Sequence, residues 1–195
     1  MTKTDTIVTR EPSWLTGQIL VAMPTLQDPR FTQTVIFICA HTEEGAMGVV
    51  LNRPLRRVKF GDLLGQLGIE PNPPQREMRL GTGGPVDDNR GFVLHSADWT
   101  GEGSLRVSEQ YTLTANQEVL QVVAAGGGPA RGLLVLGYAG WDAGQLDEEI
   151  RQNAWLSVPA DEAIVYDEDC TTKWARALAK LKIDPGMLSG TAGRA

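Results

Sequence analysis

Cys39 and His41 stand two apart in the run TVIFICAHT. That spacing puts both side chains on one face of a β-strand. With His95 and Cys170 they would complete the set of four nitrogen and sulfur ligands that zinc takes. The second pair lies far away in sequence, however, and a cysteine inside an apolar strand is more often a small buried hydrophobe, so no metal is assigned. His95, Ser96 and Asp98 supply the residue types of a nucleophilic triad. A triad needs convergence in space, which near neighbours on an extended chain do not reach, and no Gly-x-Ser-x-Gly elbow is present. Cys170 would be activated by a helix starting directly after it, but Asp167, Glu168 and Asp169 oppose a thiolate there. Glu43 with Glu44, Asp87 with Asp88, and the clusters at 147–149 and 167–169 have nothing to set a hydrolase separation; they read as solvated faces. No catalytic residue and no cofactor follows, and an enzyme with a site near His95 and Asp98, or a metal site near His41, stands as the competing expectation.

Binding is better represented. In Arg131–Leu156, RGLLVLGYAGWDAGQLDEEIRQNAWL, the run Leu133–Leu136 predicts a buried strand. A glycine-rich turn follows, with Gly137, Gly140 and Gly144 around Tyr138, Trp141 and Asp142. A helix comes next, with Asp142 as N-cap and Gln145 reaching back to it. Strand, glycines and helix are the order in which many proteins hold phosphate. Here no Lys or Arg stands in the turn, and Asp142, Asp147, Glu148 and Glu149 already complement the helix dipole. A second turn, Gly83-Gly84-Pro85, ends another strand. Glycines let a partner approach the backbone, and Trp141 offers a stacking face. The candidate ligand- or partner-binding residues are therefore Gly83, Gly84, Pro85, His95, Tyr138, Gly140, Trp141 and Gln145. The alternative is that both turns are architectural. Arg53, Arg56, Arg57 and Lys59 form the only basic run, in a loop with no helix-turn-helix pattern after it; direct DNA binding through this loop is a second competing expectation.

Gly17–Met23 predicts a strand; Thr34–Ala40 and Met47–Leu51 predict a hairpin with its turn at His41–Gly45. Phe60–Ile69 predicts a helix stopped by Gly68. Met78–Val86 and Gly91–His95 are strands on either side of the polar turn DDNR, and Leu105–Val107 and Tyr111–Leu113 are short strands. Thr114 and Gln117 would box the start of a helix to about Ala125. Leu156–Pro159 and Ala163–Tyr166 predict strands, and Thr172–Lys182 an amphipathic helix with Trp174, Leu178 and Leu181 on its apolar stripe and Lys173, Arg176 and Lys180 around it. Strands and helices without βαβ alternation predict an α+β fold. The 195 residues suit one domain, expected over 14–188 between flexible tails at 1–13 and 189–195. The net charge of −6 opposes loose attachment to nucleic acid or to an anionic membrane. Two cysteines, no apolar run of membrane length and no signal-peptide pattern predict a reduced, cytoplasmic protein.

Five segments together resemble the bacterial YqgE/AlgH family: LTGQILVAMP with the DPRF loop, VIFICAHTEEGAMGVVLNRP, GGPVDDNRGFVLH, LGYAGWDAGQLDEEIRQNAWL, and the helix carrying Trp174. Their order and spacing agree from about residue 14 to 188. The family often has Glu in a Cys-Glu-His segment; here that place is Ala40, so a role resting on that acid does not carry over. The resemblance implies a single α+β domain, a complex mixed and antiparallel sheet curled into a pseudo-barrel with helices packed outside. It also implies a cytoplasmic bacterial protein named for transcriptional regulation, after a member associated with control of alginate production. It implies no agreed catalytic residues. With direct DNA contact disfavoured by charge, the expected action is through a protein or small-molecule partner.

Overall fold

The computed structural model describes residues 14–188; the tails expected at 1–13 and 189–195 lie outside the described residues. The chain begins with strand β1 (Gln18–Ala22), then β2 (Val35–Thr42) and β3 (Gly45–Val50), joined as a hairpin through Glu43 and Glu44. Helix α1 (Phe60–Leu67) follows, stopped by Gly68 in the left-handed conformation at φ 67°. Next come β4 (Arg79–Thr82), β5 (Val86–Ser96), β6 (Ser104–Arg106) and β7 (Tyr111–Thr114), then helix α2 (Glu118–Ala124). Strand β8 (Gly132–Asp142), helix α3 (Gln145–Arg151), β9 (Trp155–Pro159), and helices α4 (Glu162–Tyr166) and α5 (Lys173–Ala179) complete the chain. The strands form one sheet in the order β6-β7-β5-β8-β3-β2-β1-β9, with β4 pairing parallel to β8 and every other pair antiparallel. The sheet curls into a half-barrel, and the fold is α+β.

Both faces of this sheet are covered, which explains the continuous apolar runs. In β2, Val35, Phe37 and Cys39 enter the inner core with Ile19, Leu94 and Val135, and α4 and α5 add Ile164 and Leu178 to it. Ile36 and Ile38 enter an outer cluster with Leu20, Trp155 and Leu146 of α3. Helices α1 and α2 cover the outer face of the other half through Leu64, Val119 and Val123, against Val93 and Leu134. The β2–β3 register slips between Ile38 and Ala40. Burial pushes the pKa of the Cys39 thiol up to about 12, the behaviour of a packed hydrophobe.

Strand β8 joins the two halves. Its first part pairs with β4 to Leu136 and with β5 as far as Tyr138, and its second, from Ala139, pairs with β3. Gly137, at φ 75°, sits where the strand changes partners. This corrects the expected turn at 137–144: the strand continues through Tyr138, Gly140 and Trp141, because β3 offers it a new edge. Asp142 accordingly ends β8 and does not cap α3, whose N-cap is Gly144, although Gln145 Oε1 does accept from the Asp142 amide at 2.9 Å.

Four other expectations change for local reasons. Residues 163–166 form a helix, not a strand, because the Asp161 carboxylate accepts from the Ile164 amide at 2.9 Å and caps it. Thr114 lies in β7, and Asn116 Oδ1 accepts instead from the Glu118 amide as α2 begins. The DDNR turn is an irregular part of β5, with Asp87 at φ 47°. In α5, Lys173 is fully buried while Leu181 lies beyond the helix and is exposed.

Candidate functional site

Trp141 is buried, and its indole is already engaged. Its Nε1 donates to Glu149 Oε2 at 2.9 Å, Trp155 Nε1 donates to the same oxygen at 2.7 Å, and Gln145 Nε2 donates to Glu149 Oε1 at 2.9 Å. The two indoles meet edge to face with centroids 6.0 Å apart. Gln145 and Glu149 are four apart on α3 and so share a helix face. Trp141, Gln145 and Glu149 thereby lock α3 onto the outer face of the sheet. His41 belongs to this side as well: its Nδ1 accepts from the Leu15 amide at 3.3 Å, and its Nε2 lies 3.5 Å from Asp147.

His95 is fully buried at the other end of the molecule. Its Nδ1 lies 2.8 Å from the Ser96 carbonyl, which can only accept, so Nδ1 carries the proton. Nε2 then accepts from Thr114 Oγ1 at 2.8 Å, and Thr114 in turn accepts from Ser104 Oγ at 2.8 Å. The Ser96 hydroxyl instead donates to Asp98 at 2.6 Å, so the three do not assemble a relay toward a nucleophile. Burial pushes the His95 pKa below its ordinary 6.5, against weaker upward pulls from the Ser96 carbonyl and Asp98. The folded protein therefore binds this proton less readily than the unfolded chain, and stability is lost as pH falls below 6.5. Melting curves from pH 7 down to about pH 5 should fall more steeply for wild type than for His95→Gln; parallel slopes would contradict this.

The turn at Gly83-Gly84-Pro85 meets β8 directly. The Gly83 amide donates to Leu136 O and the Gly83 carbonyl accepts from Val50 N, both at 2.8 Å. A Cβ on Gly84 would lie 2.1 Å from the Tyr138 carbonyl carbon. Residues of this crossing line two grooves. One groove, of about 680 Å³, has Met47, Phe92, Leu113 and Tyr138 along it, with Glu44, Arg90 and Asp142 at the rim; Gly140 and Trp141 border it. The other, of about 730 Å³, includes Gly84 and Pro85. Its remaining walls come from Asn52–Arg56 after β3, the Pro29–Phe31 turn, and the start of α5 with Cys170, Trp174 and Ala175. The expected site residues are thus divided between two grooves, with Gly83, His95 and Gln145 bordering neither.

The second groove carries the positive charge. Arg53 donates to the Thr32 carbonyl, and Arg56 is exposed, with no hydrogen bond or ion pair among the described residues. Arg30 is gripped by Asp28 through contacts of 2.7–3.1 Å. Behind the wall, Arg79 donates to Cys170 Sγ at 2.8 Å and to the Val165 carbonyl at 3.2 Å. The buried Lys173 ammonium donates to the Ile164 carbonyl. Burial first, and then the like charge of Arg79, push the Lys173 pKa down to about 8.

A family model described as AlgH-like matches residues 19–186. The chain belongs to the AlgH-like family. A UPF0301 protein of Rhodospirillum rubrum is 50% identical over 190 residues, covering 97% of this chain and 99% of the relative. One from Gluconobacter oxydans is 50% identical over 183 residues, covering 93% and 98%. The solution structure of the AlgH protein from Pseudomonas aeruginosa is 40% identical and superposes with a TM-score of 0.77 over all of both chains. A crystal structure of a Corynebacterium diphtheriae protein, 22% identical with a TM-score of 0.63 over 82% of this chain and 83% of its own, shares the fold.

In this AlgH-like chain the Gly-Tyr-Ala-Gly-Trp segment is the strand that holds both sheet halves and seats α3. Among its described residues, no helix is long and apolar enough to cross a membrane, and no three His, Cys, Asp or Glu side chains are grouped to hold a metal. Arg53 and Arg56 were visible in the basic run. Arg30 and Trp174 were not linked to it by any spacing, since only the pairing of β1, β2 and β3 brings the Arg30 and Arg53 loops together, and only the seating of α5 on β1, with Trp174 Nε1 donating to the Ala22 carbonyl at 2.8 Å, adds Trp174.

Proposed function

We propose that this AlgH-like protein is a cytoplasmic, non-enzymatic binding module that influences transcription indirectly, by holding a small ligand or a protein segment in the groove between Arg53, Pro85 and Trp174. One observation carries the reading. The conspicuous groups elsewhere are spent internally, His95 on Thr114 and Trp141 on Glu149, while the groove keeps the unpaired guanidinium of Arg56 and the remaining N–H groups of Arg53 beside apolar walls. Concave sites with apolar lining and a few polar groups are where ligands bind. The charge of −6 argues against the phosphate backbone of DNA as the partner, and the regulatory name of the family supports an effect on gene expression.

Ala175, half-buried on the groove wall, gives the test. Ala175→Glu puts bulk and a carboxylate into the groove from a surface helix. Cells carrying only this variant should show the transcript profile of the deletion strain, while the purified variant keeps its circular dichroism and melts within a few degrees of wild type. A wild-type transcript profile in those cells, or salt-sensitive retention of duplex DNA by the purified protein, overturns the reading.

A further inference from the structure

Resting on that binding-module reading, we propose that the groove takes a small organic anion of phosphate-ester type, its doubly charged head held by Arg53 and Arg56 and its apolar body lying against Trp174 and Phe31. The charge balance points to the anion. Asp88 is the only carboxylate among the described residues lining the groove, against Arg30, Arg53 and Arg56. Arg30 is offset by its two-toothed pairing with Asp28, which leaves Arg53 and Arg56 to act on a ligand. Arg79 and Lys173 stand behind the wall, next to Cys170, with no carboxylate in ion-pair contact among the described residues. In a chain of net charge −6, the lining carries three arginines against one carboxylate, and a cleft lined mainly by one sign of charge focuses the field on an entering anion.

The geometry points to the rest of the ligand. Planar guanidinium forks match the oxygens of phosphate groups, and two of them suit a dianion better than a single carboxylate. Bare inorganic phosphate would leave the faces of Phe31, Val50, Pro54 and Trp174 wet, so burial favours a head with an organic body. The volume of about 730 Å³ is that of a small-molecule site.

Phenyl phosphate, inorganic phosphate and benzyl alcohol are the probes, titrated separately into the full chain. Binding is followed by calorimetry and by the Trp174 indole N–H resonance. Phenyl phosphate is expected to saturate, inorganic phosphate to bind more weakly, and benzyl alcohol not to bind. Arg53→Gln with Arg56→Gln should weaken phenyl phosphate by at least about tenfold. Asp88→Asn should tighten it. Arg56→Gln alone removes only an exposed side chain and guards against a folding defect in the double variant. Lack of saturation by phenyl phosphate, undiminished binding by the double variant, or benzyl alcohol binding as well as phenyl phosphate would each overturn the proposal. If it fails while Ala175→Glu still reproduces the deletion profile, the anion is wrong and the binding module stands.

Discussion

Glu149→Ala is expected to lower the unfolding free energy by about 3–5 kcal/mol, because two buried indole N–H groups lose a charged acceptor at once. Trp141 is 7% exposed and Trp155 1% exposed, so neither donor has ready access to water. Hydrogen bonds to charged groups contribute about 1.5–3 kcal/mol each, and a buried donor left alone bears its full desolvation cost. Glu149→Gln keeps one carbonyl oxygen for the indoles and should cost roughly half as much. Denaturant unfolding followed by near-ultraviolet circular dichroism would report both the energy and the tryptophan packing. A loss below about 1 kcal/mol would mean that the indoles find other partners.

Gly84→Ala should have the larger effect. A methyl group there would stand 2.1 Å from the Tyr138 carbonyl carbon, 2.2 Å from its oxygen and 2.4 Å from the Ala139 nitrogen. All three are backbone atoms of the strand shared by both sheet halves, so no side chain can swing aside. The expected outcome is insoluble protein, or a loss beyond about 4 kcal/mol, the range reserved for severe core disruption. Gly68→Ala is the control: nothing lies within 4 Å of its Cβ position, and only the left-handed φ of 67° is strained, which costs about 1–2 kcal/mol. Near-wild-type melting of Gly84→Ala would mean that the two backbones can part without loss of the sheet.

What the amino-acid pattern foretold was what local chemistry decides. The β2–β3 hairpin and the stop of α1 at Gly68 follow from alternation and from a glycine at a helix end. The α+β class followed from strands and helices without βαβ alternation, and the curled sheet was what the family resemblance implied. Residues 163–166, AIVY, have strand composition, but a capping carboxylate two residues before them decides for helix. Trp141 looked available because its acceptor, Glu149, stood among acidic residues that read as solvated. The i, i+4 spacing of Gln145 and Glu149 was the signal that could have paired them. Lys173 resembled the other charges flanking an apolar stripe, yet it is the one turned into the protein. The arginine groove was the least legible feature, since its walls come from segments that only strand order brings together.

The placement of β8 also sets a schedule for the growing chain. Strand β3 exposes an open edge until residues 139–142 arrive to pair with it, and β1 waits for 155–159. Contacts between segments so far apart form late, because a long loop must close before they contribute. During synthesis the three-stranded sheet of β1, β2 and β3 therefore stands with unpaired amides and carbonyls along both outer edges, the arrangement most open to pairing with another nascent chain. Ribosome stalling or truncation before Ala139 would leave that edge permanently open. Fragments of this length should accumulate as aggregates or as chaperone clients, and addition of the missing strand should be what releases them.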